Sequence, residues 1–129
     1  MVCYMLDNFK NTNLRGTVGL AVAIAYFSKK GYIVSIPLND SHDYDLIVDD
    51  GSKLSKVQVK TVFYKQNGFY KAELRTRTTR GMDKDFSQNS SDYLYIYTND
   101  GDEFLIPASD IKTKTGILLS EKYEKYKVS

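Results

Sequence analysis

Three polar residues near the middle of the chain have types and spacing that can support hydrolysis of a phosphate ester. Asp45 precedes an Asp50-Gly51 turn, and Gln58 and Lys60 follow that turn in the motif KVQVKT. Successive side chains of a strand point to opposite faces, so Gln58 and Lys60 share one face, and antiparallel pairing can bring Asp45 close to both. The carboxylate and the amide oxygen can hold a hard divalent cation, and the lysine can stabilise charge developing on phosphorus. An ordinary hairpin with a polar edge has the same pattern.

The segment before this motif predicts a helix. The sequence TNLRGTVGLAVAIAYFSKKGY is long enough for about five helical turns. Thr12 or Asn13 can cap its start, Lys29 and Lys30 suit its negative C-terminal end, and Gly31 can end it. The helix is apolar on most sides, so we expect a sheet to cover it.

The segments after the helix predict strands and therefore an α/β fold. The strand candidates are YIVSIP, YDLIVDD, SKVQVKTVFYK and GFYKAELRTR, of which the third alternates and is rich in β-branched residues. The polar segment 78–92, TTRGMDKDFSQNSSD, predicts a mobile loop. Segment 93–110 predicts a strand–turn–strand hairpin with Asn99–Asp102 at its tip.

Length and composition limit the classes of protein to consider. A chain of 129 residues is expected to form a single domain, residues 1–129. The net charge is only +2, so a nucleic-acid surface requires local clustering of basic residues. One cysteine, Cys3, and one histidine, His42, exclude multi-Cys and multi-His metal sites within a chain and indicate a reducing, cytoplasmic compartment. The apolar run Val18–Phe27 is too short to span a bilayer, so no membrane partner is expected.

The order of these motifs resembles the PD-(D/E)XK nuclease superfamily, and within it a small branch that contains intron-encoded homing endonucleases. The resemblance extends from Gly16 to Ile111. The motifs that carry it are the helix ending in KKGY, the strand with Ile-Pro in VSIP, Tyr-Asp-Leu, Gln-Val-Lys-Thr and the later YLYIYTNDGDEFLIPASDI. It implies a restriction-endonuclease-like core in which an N-terminal helix packs on a mixed central β-sheet, with a C-terminal β-hairpin.

The resemblance also implies roles for individual residues. Asp45 matches the metal-binding acid of the "PD" element, with Tyr44 in place of proline. Gln58 stands at the variable acid position, where this branch uses glutamine, and Lys60 matches the catalytic lysine. The backbone carbonyl of Val59 corresponds to a common metal ligand. The implied activity is Mg2+-dependent cleavage of DNA phosphodiester bonds.

One position departs from the family pattern. Family members usually place a glutamate on the first helix, where this chain has Leu20, and no acid lies between Arg15 and Lys30. We expect Leu20 to face the same cleft as Asp45. Three interpretations follow: a cation held mainly by Asp45 and the DNA phosphate, assistance from another acid such as Asp43 or Asp49, or a catalytically inactive chain.

The expected substrate is double-stranded DNA. Arg75 and Arg77 are predicted to share a strand face, with Arg80 and Lys84 in the loop that follows, and such clusters neutralise phosphates. The alternative is an edge strand protected by charge. Because one small chain can read only a short site, a homo-oligomer, dimer or tetramer, is expected. The alternative functions are a structure-selective nuclease resembling Holliday-junction resolvases and a catalytically inactive DNA-binding module.

Overall fold

The computed structural model describes residues 12–39, 42–77 and 83–128. In this part of the chain one helix, α1 (Thr12–Lys29), precedes a series of mostly short strands. The strands are β1 (Ile33–Ser35), β2 (Leu46–Asp49), β3 (Leu54–Val62), β4 (Lys65–Gln66), β5 (Phe69–Glu73), β6 (Thr76–Arg77), β7 (Asp83–Lys84), β8 (Tyr93–Thr98), β9 (Glu103–Pro107) and β10 (Gly116–Leu118). Two 3₁₀ helices lie at Ala108–Asp110 and Glu121–Tyr126.

A five-stranded mixed sheet has the strand order β1-β2-β3-β8-β9. β3 and β8 are parallel, with Val57 opposite Tyr93 and Lys60 opposite Ile96, and the other neighbouring strands are antiparallel. A smaller sheet with the order β10-β5-β4 and the two-stranded pair β6–β7 complete the described architecture. The predicted restriction-endonuclease-like arrangement, one helix on a mixed central sheet with the β8–β9 hairpin towards the C-terminus, is therefore confirmed.

Helix α1 ends where its sequence predicts. The amide of Gly31 donates to the carbonyl of Ser28 at 3.0 Å and the amide of Tyr32 donates to the carbonyl of Phe27 at 3.1 Å. This is the Schellman pattern, which needs the left-handed conformation that Gly31 adopts at φ 84°. The stacked rings of Phe27 and Tyr32 add the apolar contact that often accompanies it. At the other end, α1 already includes Thr12, so the cap position falls outside the described residues.

No helix in the described ranges is long and apolar enough to cross a membrane. The apolar character of α1 instead serves packing against the central sheet. Ala23 and Phe27 are buried with residues of β2, β3 and β8: Leu46, Val48, Val57, Tyr95 and Tyr97.

The opposite face of the central sheet is also covered. Leu94, Ile96 and Val62 from the central sheet are buried against Ala72 of β5 and Ile117 of β10. Val57 and Val59 face the helix, as strand alternation predicts, and Gln58 and Lys60 face the smaller sheet. Gln58 is only 4% exposed, because the smaller sheet covers this face.

The region after β3 differs from its prediction in two ways. The predicted fourth strand is divided, since β5 ends at Glu73 and β6 begins at Thr76, so Arg75 and Arg77 do not share one strand. The described part of the segment predicted as a mobile loop is not irregular throughout. It contains β7 and the buried Phe86, whose amide donates to the carbonyl of Lys114 at 2.8 Å. Its residues 78–82 lie outside the described ranges.

A close approach between α1 and β3 sets the position of the helix. A Cβ atom at Gly19 would lie 2.0 Å from Oγ1 and 3.3 Å from Cβ of Thr61. Only glycine fits this contact without displacement of its neighbour. Because Leu20 follows Gly19 in the helix, the same contact also fixes how near Leu20 comes to the end of β3.

We predict that Gly19→Ala lowers the free energy of unfolding by about 1–2 kcal/mol, because the collision with Thr61 outweighs the gain in helix propensity of about 1 kcal/mol. In a Thr61→Ala background the same substitution should become neutral or stabilising, since the colliding hydroxyl is removed. Urea unfolding of the four proteins of this cycle measures both effects. Equal effects of Gly19→Ala in the two backgrounds would contradict the contact.

Candidate active site

The site begins where the pairing of β2 with β3 ends. Leu46, the first residue of β2, pairs with Val57, and the amide of Asp45 just before it donates to the carbonyl of Val57 at 2.8 Å. Further along β3, the next inward-pointing amide, that of Val59, has a side-chain partner instead of a backbone one. It donates to Oδ2 of Asp45 at 2.7 Å. The amide and carbonyl of one strand residue point to the same side, so the carbonyl of Val59 also faces this open edge.

A cleft of about 830 Å³ opens at this edge of β3. Asp45, Val59 and Lys60 line it from the sheet, and Leu20 lines it from α1. The remaining lining residues are Asn13, Arg15, Gly16, Thr17, Thr61 and Phe63. The structure therefore brings the predicted acid, the carbonyl-bearing residue and the lysine to one cavity, together with the residue that replaces the helix acid.

Burial shifts the ionisation of the two charged groups in opposite directions. Burial lowers the pKa of Lys60, and this is opposed by the negative charges of Asp45, Glu73 and Asp43, in that order. Burial raises the pKa of Asp45, opposed by the hydrogen bond from Val59 and by the charge of Lys60. The residue Asp45 as a whole is exposed, but the cleft walls remove water from its carboxylate. Each group thus lowers the free energy of the other's charged form.

Gln58 occupies a separate and much smaller cavity. Asp43, Gln58, Lys84 and Phe86 are among the residues that line it. The Oε1 atom of Gln58 is buried and has no hydrogen-bond partner among the residues that the structure describes. An unsatisfied buried carbonyl oxygen costs free energy and is uncommon in folded proteins. The sequence predicted that Gln58 lies close to both Asp45 and Lys60. In the structure Gln58 shares the face of Lys60 but does not line the cleft that Asp45 lines.

The oxygen atoms at this edge are of the type that hard divalent cations prefer. The carboxylate of Asp45 and the carbonyl of Val59 lie at the edge itself, and the unsatisfied amide oxygen of Gln58 lies in the neighbouring small cavity. The chemistry of these three oxygens fits Mg2+. Across the described ranges, no three His, Cys, Asp or Glu residues cluster in a way that could hold a metal ion. Any cation here would therefore depend on neutral oxygens and substrate as well as on Asp45.

The predicted DNA-contacting residues are only partly described. Arg75 is exposed and its Nε donates to Oε1 of Glu73 at 3.1 Å, while Nζ of Lys84 lies 2.7 Å from Oδ2 of Asp43. Exposed ion pairs of this kind contribute about 0–1 kcal/mol, so phosphate can compete for either cation. The side chain of Arg77 and all of Arg80 lie outside the described part of the structure.

Two features of the site were not found from the sequence. The guanidinium of Arg15 lies 4.3 Å from the centre of the Phe63 ring, which holds a cation at the wall of the cleft. The ion pair of Asp43 with Lys84 links the loop before β2 to β7. Neither has a local sequence signal, because the partners are far apart in the chain.

Comparisons with known proteins extend over most of the chain. A family model described as PD-(D/E)XK endonuclease matches residues 10–127. A search of curated protein sequences finds no match. Among solved structures, the chain is similar to a bacterial homing endonuclease, I-Ssp6803I, with 26% sequence identity and a TM-score of 0.77. That alignment covers 91% of this chain and 88% of the other.

We predict that the pKa values of Asp45 and Lys60 are coupled in metal-free protein. Asp45→Asn should lower the pKa of Lys60 further, because the largest opposing negative charge is removed. Lys60→Gln should raise the pKa of Asp45 further, because a favourable positive charge is lost. Titrations of the Lys Cε and Asp Cγ resonances by NMR measure both shifts. Independent titration of the two groups would contradict the shared cleft.

The lowered pKa of Lys60 also has a consequence for stability. Between its folded pKa and the ordinary value of 10.5, the unfolded chain binds the proton and the folded chain does not. The contribution of Lys60 to the free energy of unfolding should therefore rise with pH across this window. Lys60→Gln removes the contribution, and the difference between the two unfolding curves isolates it from other titrating groups.

Proposed function

The chain belongs to the PD-(D/E)XK endonuclease family, and from this premise we propose that it is a Mg2+-dependent, site-specific DNA endonuclease of the homing type. The observation that carries the proposal is the single cleft that joins Asp45, the edge of Val59 and the desolvated Lys60. The likeness to a bacterial homing endonuclease over 91% of the chain supports the homing role.

The proposed ligands of Mg2+ are the carboxylate of Asp45 and the carbonyl of Val59 at the edge of β3, together with Oε1 of Gln58 from the neighbouring small cavity. When bound there, the cation supplies Lewis-acid stabilisation of charge on the phosphoryl group. The hydrogen bond from Val59 restricts the Asp45 side chain to the edge of β3. This restriction lowers the conformational entropy that the carboxylate loses on engaging a ligand.

The proposed role of Lys60 follows from its surroundings. Its ammonium is partly desolvated, and a charge in such an environment interacts more strongly with a developing negative charge than it would in water. Lys60 can therefore donate a hydrogen bond to the attacking water and stabilise the charge that forms on phosphorus. Asp45, on the same cleft, keeps the ammonium oriented and charged.

The proposed substrate is double-stranded DNA, recognised by a homo-oligomer. Lys60 and Arg15 supply positive charge within the cleft, and Arg75 and Lys84 carry charges that form exposed ion pairs. Together with Arg77 and Arg80, these residues are proposed to neutralise phosphates. A dimer or tetramer would place two such clefts on the two strands of a pseudo-palindromic site.

A second candidate function is a DNA-binding module without activity. The observation that favours it is the apolar wall that Leu20 gives the cleft, where the family usually has an acid. In that case DNA binding would persist, but no cation would assist hydrolysis.

We predict that the protein makes discrete double-strand breaks in DNA with Mg2+ and none with EDTA. Asp45→Asn and Lys60→Met should each lower the cleavage rate by about 100-fold or more, the range for loss of one group that stabilises transition-state charge. A plasmid library with a randomised insert, read by sequencing of the ends, measures rate and site together. Asp49→Asn is the matched control, because Asp49 lies at the far end of the strand that Asp45 precedes and accepts a hydrogen bond from Gly51. Equal rates for Asp45→Asn and the control would contradict the site.

We predict that Leu20→Glu tightens Mg2+ binding by about tenfold, equivalent to about 1.4 kcal/mol, and raises the cleavage rate. Leu20 is half-buried and lines the cleft, so a carboxylate there can reach Asp45 without full burial. Ala21→Glu, on an exposed position of the same helix, is the control for charge alone. Calorimetric titration with Mg2+ and the cleavage assay provide the readouts. A loss of folding in Leu20→Glu alone would contradict the position of Leu20 at the cleft.

A further inference from the structure

Asp43 lies close to the candidate site but has a different environment from Asp45. It belongs to the loop before β2, and its side chain is 28% exposed. Its Oδ2 accepts a hydrogen bond from Nζ of Lys84 at 2.7 Å, so β7 supplies its neighbouring cation. Its negative charge also acts on Lys60, opposing the effect of burial on that ammonium. Asp43 is therefore within electrostatic reach of the central lysine of the cleft.

The cavity that Asp43 lines also contains a buried polar atom with an unsatisfied hydrogen-bonding capacity, Oε1 of Gln58. Gln58 is only 4% exposed and lines the same cavity, and within the described ranges its Oε1 has no hydrogen-bond partner. A carboxylate beside an unsatisfied amide oxygen is an oxygen-rich environment that a hard cation would satisfy. The Lys84 ammonium, which also lines this cavity, already provides positive charge there.

The other acids near β2 fit this role less well. Asp49 is at the opposite end of β2 from Asp45, paired across the sheet with Ile33 and Leu54. Its Oδ1 accepts a hydrogen bond from the amide of Gly51 at 2.9 Å, so its carboxylate serves the turn. Asp85 lines the same small cavity as Gln58 but is exposed, and it is included in the test below.

We propose that Asp43 provides a second carboxylate for the divalent cation, in place of the acid absent at Leu20, and that Lys84 is its counter-ion in the metal-free protein. This inference rests on the proposed function, because it concerns the same cation. It assigns to the loop before β2 a role that the family pattern gives to the helix.

The pairing has a physical consequence for how metal and DNA bind. A cation that approaches Asp43 must overcome the charge of Lys84, so the ammonium lowers metal affinity. A DNA phosphate can take Lys84 as its own counter-ion, and this would release Asp43. Metal affinity in the protein alone is therefore restrained by Lys84 and should rise when that charge is removed.

The test measures Mn2+ binding to the full chain without DNA, by electron paramagnetic resonance of the free ion. Asp43→Asn should weaken binding by about tenfold, because it removes a ligand, and Lys84→Gln should tighten it by about threefold or more, because it removes the ammonium that competes for the Asp43 carboxylate. The double variant should bind as weakly as Asp43→Asn, since Lys84 acts through Asp43. Asp49→Asn is the matched control and should bind like the unmodified chain. Circular dichroism melts establish that each variant is folded.

The outcomes separate this inference from the proposed function. If Asp45→Asn abolishes Mn2+ binding while Asp43→Asn changes it by less than about twofold, the nuclease site stands and the role of Asp43 is wrong. If Asp85→Asn instead shows the loss expected for Asp43→Asn, the second carboxylate is Asp85 and the inference fails. If neither Asp45→Asn nor Asp43→Asn changes binding, the proposed metal site itself is wrong. Tightening by Lys84→Gln that persists in the Asp43→Asn background would also overturn the pairing.

Discussion

The hydrogen bond from the amide of Val59 to the carboxylate of Asp45 is the contact on which the candidate site depends. It lies where the backbone pairing of β2 with β3 ends, and there a carboxylate accepts the hydrogen bond that a neighbouring strand would otherwise accept. A longer β2 would close the edge with backbone hydrogen bonds and leave no cleft. Because a carboxylate terminates the pairing, the exposed edge acquires negative charge where the carbonyl of Val59 also points.

The two layers that cover the central sheet remove water from the charged groups near this edge. Helix α1 covers the face of Val57 and Val59, and the smaller sheet covers the face of Gln58 and Lys60. Desolvation from these covers shifts the pKa of Lys60 down and that of Asp45 up. The free-energy cost is offset by packing of the surrounding cores, as is common where a functional group is held in a low-dielectric position. The close contact of Gly19 with Thr61 holds α1 near β3, so that the helix contributes to this desolvation.

Local sequence signals predicted the elements that carry the site. The span and end of α1 follow from an apolar segment with Gly31 at its end, and the faces of Val57, Gln58, Val59 and Lys60 follow from strand alternation. The mixed sheet was expected only through the resemblance to a family. The features that escaped prediction are non-local. Burial of Gln58 depends on β5 and β10, and the ion pair of Asp43 with Lys84 depends on how the chain returns after β5. Neither leaves a periodic pattern in the sequence.

The parallel pairing of β3 with β8 has a consequence for how the chain can vary. The contact of Asp45 with Val59 closes a loop of 14 residues, whereas the hydrogen bond of Lys56 with Asp92, where β3 meets β8, closes one of 36. The extra closure entropy of the longer loop is only about 0.8 kcal/mol, because this cost grows with the logarithm of length. Insertions or deletions at the exposed turn of Asn67 and Gly68 would therefore change the stability of the sheet very little. The length of the β4–β7 region can therefore change during evolution while the β2–β3 hairpin, which positions Asp45 and Lys60, keeps its geometry.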